Sequence, residues 1–157
     1  MLHIRTAERS DAAALAEMLI ELDILEGNAG DLHSEEIVLR DGFGSDPAFH
    51  ALLARFEDKD VGYLLWYPAY DTDLMARKMW VSDIYVRPAA RGLRCGRALL
   101  VRAAEEALSR GYRSLELPVR HANDSARAFY EHLGGVNKVS TIYRWYGNEL
   151  NRMAKSQ

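Results

Sequence analysis

Apolar residues recur with helical spacing over two stretches of the first 45 residues. The first stretch is preceded by a short strand candidate, LHIRTA (2–7), and its helix can be capped by Ser10 or Asp11. A second short helix is predicted from Ser34, where a cap precedes an apolar stripe, to DGFG (41–44). The stripe of the first helix consists of Leu15, Met18, Leu19 and Leu22.

The pattern then changes to runs rich in β-branched, aromatic and aliphatic residues. FHALLARFE (49–57), DVGYLLWY (60–67) and KMWVSDIYV (78–86) are separated by turn-forming residues that suit antiparallel hairpins. We therefore predict three consecutive central strands.

Two further helices and two further strands are predicted in the remainder of the chain. A helix from Gly96 ends at Arg110-Gly111, RSLELPV (113–119) is the next strand, and TIYRWY (141–146) is the last. Between these strands, Asn123 or Asp124 can cap a helix with an apolar face. The order βααβββαβαβ predicts an α/β fold of the α+β type, a mixed, mostly antiparallel sheet flanked by helices, in a single domain over 1–157.

Composition and charge narrow the classes of partner. The 157 residues are 48% hydrophobic and 27% charged, which is ordinary globular composition, and the formal charge of −3 gives no general reason to bind nucleic acid or anionic membrane. One cysteine, Cys95, allows no internal disulfide and no cysteine-rich zinc site, and the five histidines show no metal-ligand spacing. These spacings lead us to expect no resident metal. The N-terminus lacks a long apolar run, so we expect a cytoplasmic protein.

The junction YVRPAARGLRCGRALL (85–100) carries the first chemical signal. A strand that turns through a glycine-bearing loop into a helix directs unpaired backbone N–H groups at one point, beside the positive end of the helix dipole. Arg91, Arg94 and Arg97 add guanidinium groups that match phosphate oxygens. The spacing is neither a Walker loop nor the dinucleotide fingerprint, so we predict a different polyphosphate site; the alternative is a solvated basic turn.

Two motifs, in order, resemble those of the GNAT superfamily of N-acetyltransferases. YVRPAARGLRCGRALL resembles its acyl-CoA signature, and NDSARAFYEHLGG (123–135) resembles its later helix, where Asn and Tyr flank the thioester. The segments EEIVLRDGFGSDPAFHALLARF (35–56), WVSDIYV (80–86) and YRWYGNEL (143–150) resemble the spermidine/spermine and thialysine acetyltransferase branch. The resemblance implies acetyl-CoA as cofactor and a homodimer. It implies cofactor contacts at Ile84, Tyr85, Val86, Arg91, Gly92, Leu93, Arg94, Cys95, Gly96, Arg97, Asn123 and Tyr130.

Four positions depart from the pattern of that family. Arg94 stands where the superfamily usually has its first motif glycine, so we expect no positive φ there and a side chain that reaches the phosphates. Ser82 replaces a glutamate of the polyamine enzymes, Tyr143 replaces a tryptophan, and Thr141 replaces the acidic residue shortly before that tryptophan. Fewer carboxylates predict weaker recognition of a multiply charged polyamine, which favours a thialysine-like amino acid or a diamine.

Acetyl transfer to an amine requires a neutral amine, a polarised carbonyl and a proton for the departing thiolate. Asp83, Glu26 and Asp71 are the candidates for a base, alone or through a water relay, and a splayed strand end would leave the Val86 N–H free for the thioester oxygen. The resemblance assigns the proton donor as Tyr130. We predict that the amine is held by Glu26, Asp71, Ser82, Asp83 and Tyr143.

Each candidate also has a purely structural interpretation. By periodicity alone Tyr130 is a core aromatic, Asn123 is a helix cap, and Asp83 pairs with an arginine across the sheet. Asp71 is most simply part of a solvated hairpin loop, and Cys95 is a small buried hydrophobe.

The sequence thus predicts direct transfer of an acetyl group from acetyl-CoA to the primary amine of a small molecule. Two alternatives remain at this point: an acetyltransferase for protein N-termini or lysines, and a non-catalytic module that senses acyl-CoA.

Overall fold

The computed structural model describes residues 1–156, and their contacts separate the chain after Pro118 into two compact units. The first unit contains strands β1 (Leu2–Thr6), β2 (His50–Phe56), β3 (Lys59–Asp71), β4 (Ala76–Val86) and β5 (Ser114–Glu116), and helices α1 (Ala12–Leu25), α2 (Glu35–Phe43) and α3 (Cys95–Ser109). The second unit begins at Val119 and contains α4 (Asp124–His132) and α5 (Asn148–Ala154).

The first unit is built on one sheet with the strand order β1-β2-β3-β4-β5. The first three pairings are antiparallel, and β5 pairs with β4 in parallel. This is the mixed, mostly antiparallel sheet flanked by helices that the sequence predicts. The parallel pairing follows from the α3 crossover, since a parallel neighbour requires a long connection.

Apolar side chains cover both faces of the sheet. On one face, called here the α3 face, Leu64, Trp66 and Met79 pack with Leu99 and Ala103 of the third helix. Side chains of the opposite, α1–α2 face lie under the first two helices: Leu53, Tyr63, Leu65 and Tyr85 pack with Leu15, Met18 and Val38. Both α1 and α2 therefore present the apolar stripes that their sequence periods predict.

Predicted caps are present at two helix starts. The Ser34 hydroxyl accepts the Ile37 N–H at 3.2 Å, and the Asn123 side chain accepts the Ala126 N–H at 3.1 Å. Each cap satisfies an N–H group that has no partner inside its helix.

The predicted last strand, TIYRWY (141–146), is wrong for the chain as described. Residues 136–146 pair with no strand of the described chain, and all of them are exposed. Their alternating aromatic pattern favours a half-buried sheet surface, and strand structure needs a pairing partner as well as that propensity. The segment is followed by α5, which the sequence pattern did not predict.

Candidate active site

A β-bulge at Ser82 determines which sheet face the candidate base occupies. Val81 pairs with Trp66, and Asp83 pairs with Leu65, so Ser82 is an extra residue in β4. Before the bulge, Met79 and Val81 lie on the α3 face; after it, Tyr85 lies on the α1–α2 face. Because side chains alternate along a strand, the extra residue changes the parity and places Asp83 on the face of Tyr85.

Asp83 lies in a half-buried position beside other ionisable groups of the first unit. Burial raises the pKa of Asp83, the nearby Glu26 carboxylate raises it further, and His33 lowers it in part. No hydrogen bond or ion pair engages the Asp83 carboxylate within residues 1–156. The arginine pairing considered for Asp83 is therefore wrong for this conformation. The structure brings together Glu26 and Asp83, two of the predicted site residues.

Tyr63 belongs to the same cluster and was missed by the sequence analysis. Its side chain is fully buried, and its hydroxyl has no hydrogen-bond partner in the described chain. Burial raises the pKa of Tyr63 well above its usual value, with further contributions from the charges of Asp83 and Glu26. The phenol is therefore protonated at neutral pH and can act as a hydrogen-bond donor. The segment DVGYLLWY indicated only a strand, and nothing in its pattern singled out this tyrosine.

Strands β4 and β5 separate before β4 ends. They pair only over Lys78–Trp80 and Ser114–Glu116, so the last part of β4 has no neighbour on that side within the sheet. The Arg87 N–H donates to Val61 O of β3 at 2.8 Å. Because N–H directions alternate along a strand, the Val86 N–H points away from β3, toward the side that β5 leaves open. This direction agrees with the role expected of the Val86 N–H, and its contact with a thioester oxygen stays a prediction.

The loop before α3 directs a group of backbone N–H donors outward. Ala98 N–H is the first to bond back into the helix, to Arg94 O at 3.0 Å, and Leu93 N–H bonds to Ala90 O at 3.3 Å. Five others have no backbone or side-chain acceptor among the described residues: those of Gly92, Arg94, Cys95, Gly96 and Arg97. With the exposed side chains of Arg91, Arg94 and Arg97 around them, these donors fit an anion with several phosphate oxygens.

The backbone at Arg94 corrects one sequence prediction. Arg94 has φ 61° and ψ 18°, which is the left-handed conformation expected of the glycine that the family usually has there. The loop thus keeps the turn although the residue has changed, at a cost of about 1–2 kcal/mol for a non-glycine residue. Gly92, two residues earlier, also has a positive φ of 88°, and no atom lies within 4 Å of where its Cβ would stand. Backbone conformation, and not lack of space, therefore favours glycine at position 92.

Cys95 is a core residue of the helix start. It is buried, its thiol lies 3.8 Å from Ala90 O, and burial raises its pKa. The interpretation of Cys95 as a small hydrophobe is confirmed, and only its backbone N–H remains available to a ligand.

A charged network that the sequence analysis missed holds α1 against the end of β4. The Tyr85 hydroxyl donates to Glu21 Oε2 at 3.0 Å, and Arg87 Nη2 lies 2.7 Å from Glu21 Oε1 and 3.1 Å from Glu17 Oε2. The two glutamates are one helical turn apart, and Arg87 follows the strand directly. This spacing is the only sequence signal that indicates the contact.

The structure separates Asp71 from the other candidate site residues. Asp71 pairs with Ala76, and Asp83 lies seven residues farther along β4, which is about 20 Å at the rise of an extended strand. Asp71 is buried, not solvated as the hairpin-loop interpretation assumed, and its Oδ1 accepts the N–H groups of Asp73 and Leu74 at 2.9 and 3.2 Å. Its carboxylate holds the hairpin turn, so it is not part of the proposed site.

The second unit contains the remaining predicted residues, Asn123, Tyr130 and Tyr143. Asn123 caps α4, as its structural interpretation required. Tyr130, also on α4, is half-buried with its ring centroid 5.3 Å from that of Phe129, and burial raises its pKa. Tyr143 is 77% exposed in the segment without strand structure.

Two features are absent from residues 1–156. No helix in that range is long and apolar enough to cross a membrane. In the same range, no three His, Cys, Asp or Glu side chains are grouped so that they could hold a metal ion.

Solved structures share this fold. An integron cassette protein from the mobile metagenome of V. cholerae superposes with a TM-score of 0.81 and 24% identity, covering 99% of this chain and 98% of that one. A ribosomal-protein-alanine N-acetyltransferase from Brucella melitensis gives a TM-score of 0.77 at 24% identity, with 94% and 100% covered.

Sequence comparisons identify the family. The thialysine N-epsilon-acetyltransferase of Mus musculus is 32% identical, and that of Sus scrofa is 34% identical, each over 96% of both chains. The family model for acetyltransferase (GNAT) family proteins matches residues 16–135, which include most of α1, the candidate site of the first unit and α4. The chain therefore belongs to the GNAT acetyltransferase family and is an N-acetyltransferase.

Proposed function

We propose that this enzyme transfers an acetyl group from acetyl-CoA directly to the primary amine of a small molecule. The acceptor is a diamine, a polyamine or a thialysine-like amino acid, and the names of the relatives favour the last. The observation that carries the proposal is a pair of neighbouring carboxylates: Glu26 lies at the end of α1, and Asp83 lies on β4, the strand whose end directs the Val86 N–H away from β3. Two carboxylates attract a cationic amine and can remove its proton.

The cofactor is proposed to lie at the start of α3. Acetyl-CoA, when bound, supplies an acetyl group activated as a thioester. The free N–H groups of Gly92 and of residues 94–97 support binding of its pyrophosphate, and Arg91, Arg94 and Arg97 supply the opposite charge. Ile84, Tyr85, Leu93 and Asn123 stay predicted contacts. The proposed binding of the pyrophosphate thus rests on backbone N–H groups that have no other acceptor among the described residues.

The residues of the first unit divide the chemistry between them. The Val86 N–H is proposed to donate to the thioester oxygen, which withdraws charge from the carbonyl carbon. A primary amine with a pKa of about 10.4 is almost wholly protonated at neutral pH. Asp83, whose pKa is raised by burial and by Glu26, is proposed to take that proton. Ser82 and Glu26 are proposed to line the path of the amine.

Three predictions rest on the family resemblance. Tyr130 is proposed to protonate the departing thiolate, and its raised pKa keeps the phenol protonated as that role requires. Tyr143 stays a predicted substrate contact. The homodimer and the cytoplasmic location also stay predictions.

Steady-state release of CoA from acetyl-CoA tests the proposal across lysine, thialysine, putrescine, spermidine, spermine and a short peptide. We expect turnover with a diamine or an amino acid, with kcat/KM highest for thialysine. Preference for the peptide would indicate a protein acetyltransferase. Tight acetyl-CoA binding without turnover on any amine would contradict the proposed acceptor class.

A further inference from the structure

Tyr63 and Asp83 are neighbours that each lack a hydrogen-bond partner in the described chain. The Tyr63 hydroxyl is buried and unpaired, and the Asp83 carboxylate is half-buried and unpaired. An unpaired buried polar group is costly, because it has given up its hydrogen bonds to water. Two such groups beside each other indicate that each can satisfy the other.

The sheet register places the two side chains within reach. Tyr63 lies opposite Tyr85, and Leu65 lies opposite Asp83, so Tyr63 and Asp83 are diagonal neighbours across β3 and β4. Diagonal Cβ atoms in an antiparallel pair are about 7–8 Å apart or less, a gap that an aromatic side chain spans. The Ser82 bulge puts Asp83 on the α1–α2 face, the face on which Tyr63 lies.

Charge and protonation are also complementary. Burial and the nearby carboxylates hold the Tyr63 phenol in its protonated form, so the hydroxyl is a donor. An ionised aspartate is only an acceptor. The other ionisable groups that act on Asp83 or Tyr63 are Glu26 at the end of α1, His33 before α2, and Tyr85 on β4. The Tyr85 hydroxyl already donates its hydrogen bond to Glu21, so of these two tyrosines it is Tyr63 whose hydroxyl can donate to Asp83.

We propose that Tyr63 is a positioning residue for the catalytic base: its hydroxyl donates to one carboxylate oxygen of Asp83 and leaves the other directed at the acceptor amine. A rotation of the Asp83 side chain closes this pair. The inference rests on the proposed function, in which Asp83 removes the amine proton. In that step the ammonium N–H bond breaks, its proton passes to the free oxygen of Asp83, and the Tyr63 phenol keeps its own proton.

The test is Tyr63→Phe, which removes only the hydroxyl oxygen. The titration of Asp83 is followed through its side-chain carboxyl carbon by NMR, and the signal is assigned by its loss in Asp83→Asn. We expect the midpoint to move to higher pH in Tyr63→Phe, because the donor stabilises the charged carboxylate. We expect kcat to fall about tenfold, the equivalent of one hydrogen bond to a charged group, with KM for acetyl-CoA unchanged.

Tyr112→Phe is the matched control. Tyr112 is a buried tyrosine on the α3 face, where its ring lies edge-on to Trp66 at 6.4 Å. The substitution therefore removes the same hydroxyl group on the sheet face opposite to that of Asp83. Tyr112→Phe should leave the midpoint of the Asp83 titration unchanged. An Asp83 midpoint in Tyr63→Phe equal to that of the wild type would overturn the inference. The NMR titration needs no turnover, so failure of the proposed acceptor class would leave this result readable by itself.

Discussion

The carboxylates of Glu26, at the end of α1, and Asp83, on β4, lie close enough for the charge of one to raise the pKa of the other. The two residues come from segments far apart in the sequence, and the loop that contains His33 follows Glu26. A base whose pKa is raised toward neutrality matches the pH at which it works, because it is both ionised and able to hold a proton.

Asp83→Asn should lower kcat/KM for the preferred amine by about 10²-fold, the usual contribution of a positioned base. Amine acetylation measured against pH is the check. We expect the wild type to lose activity as the pH falls through the raised pKa of Asp83, and the variant to lose this dependence. Glu26→Gln should move the acid limb to lower pH, since it removes the charge that opposes ionisation of Asp83. An unchanged profile in both variants would exclude this pair as the base.

Asp83→Asn should also stabilise the fold at neutral pH. The pKa of Asp83 is raised in the folded state, so its protonated form is favoured there, and stability is lost as the pH rises through that pKa. Melting temperatures of the wild type and the variant should therefore differ at pH 7 and converge at about pH 3, below the ordinary aspartate value near 3.9. If Asp83→Asn raised the melting temperature equally at both pH values, burial of the charge would not be the cause of the stabilisation.

Arg94→Gly and Arg94→Ala separate the backbone of the loop from its charge. Both remove the guanidinium, but only glycine adopts the left-handed conformation at Arg94 without cost. We expect Arg94→Gly to be more stable than Arg94→Ala by about 1 kcal/mol in chemical denaturation. The two variants should raise KM for acetyl-CoA equally. Equal stabilities would contradict the positive φ described for this position.

Arg91→Ala and Arg97→Ala should each raise KM for acetyl-CoA about tenfold and leave kcat nearly unchanged, because a phosphate contact is one charge-assisted hydrogen bond made equally before and during transfer. Kinetics at two salt concentrations would show the lost charge as a weaker salt dependence. Arg102→Ala on the same helix is the control. Its guanidinium lies 3.2 Å from Glu106, so its charge is already paired.

Tyr130→Phe should lower kcat by about 10²-fold while the affinity for acetyl-CoA is retained, since only a proton donor is removed. Steady-state kinetics together with calorimetric titration of acetyl-CoA separates the two effects. Turnover equal to that of the wild type would show that another group protonates the thiolate.

Asp71→Ala should cost about 1–3 kcal/mol, because it removes the buried carboxylate that accepts two part-buried hydrogen bonds from the turn. Thermal unfolding is the measurement, and Asp73→Ala, on an exposed residue of the same turn, is the matched control. Activity should be unchanged at permissive temperature. A large loss of kcat/KM without a loss of stability would return Asp71 to the acceptor site.

Local patterns predicted most of the elements of the first unit. The apolar stripe of α1 and the Ser34 cap are readable because helix period and cap chemistry act over a few residues. The strand prediction for residues 141–146 was wrong for the opposite reason: strand formation depends on a pairing partner, and a local pattern does not contain that partner.

The arrangement of the site was predictable only in part. Glu26 and Asp83 were predicted from their chemistry, whereas the unpaired hydroxyl of Tyr63 is a property of packing between strands. The left-handed backbone of Arg94 was not predicted, because non-glycine residues disfavour a positive φ. The neighbouring loop and helix impose the turn on the residue at this position.

The extra residue at Ser82 has a consequence for anyone who redesigns this enzyme. Absorbing Ser82 into a regular ladder, with no change of sequence, would make side chains alternate without interruption from Val81 onward. That change would rotate Asp83 and Tyr85 to the side of α3 and bring Ile84 and Val86 under α1. A regular strand of the same length would thus retain the composition of the enzyme and lose its base, so grafts between relatives need to carry the irregularity together with the aspartate.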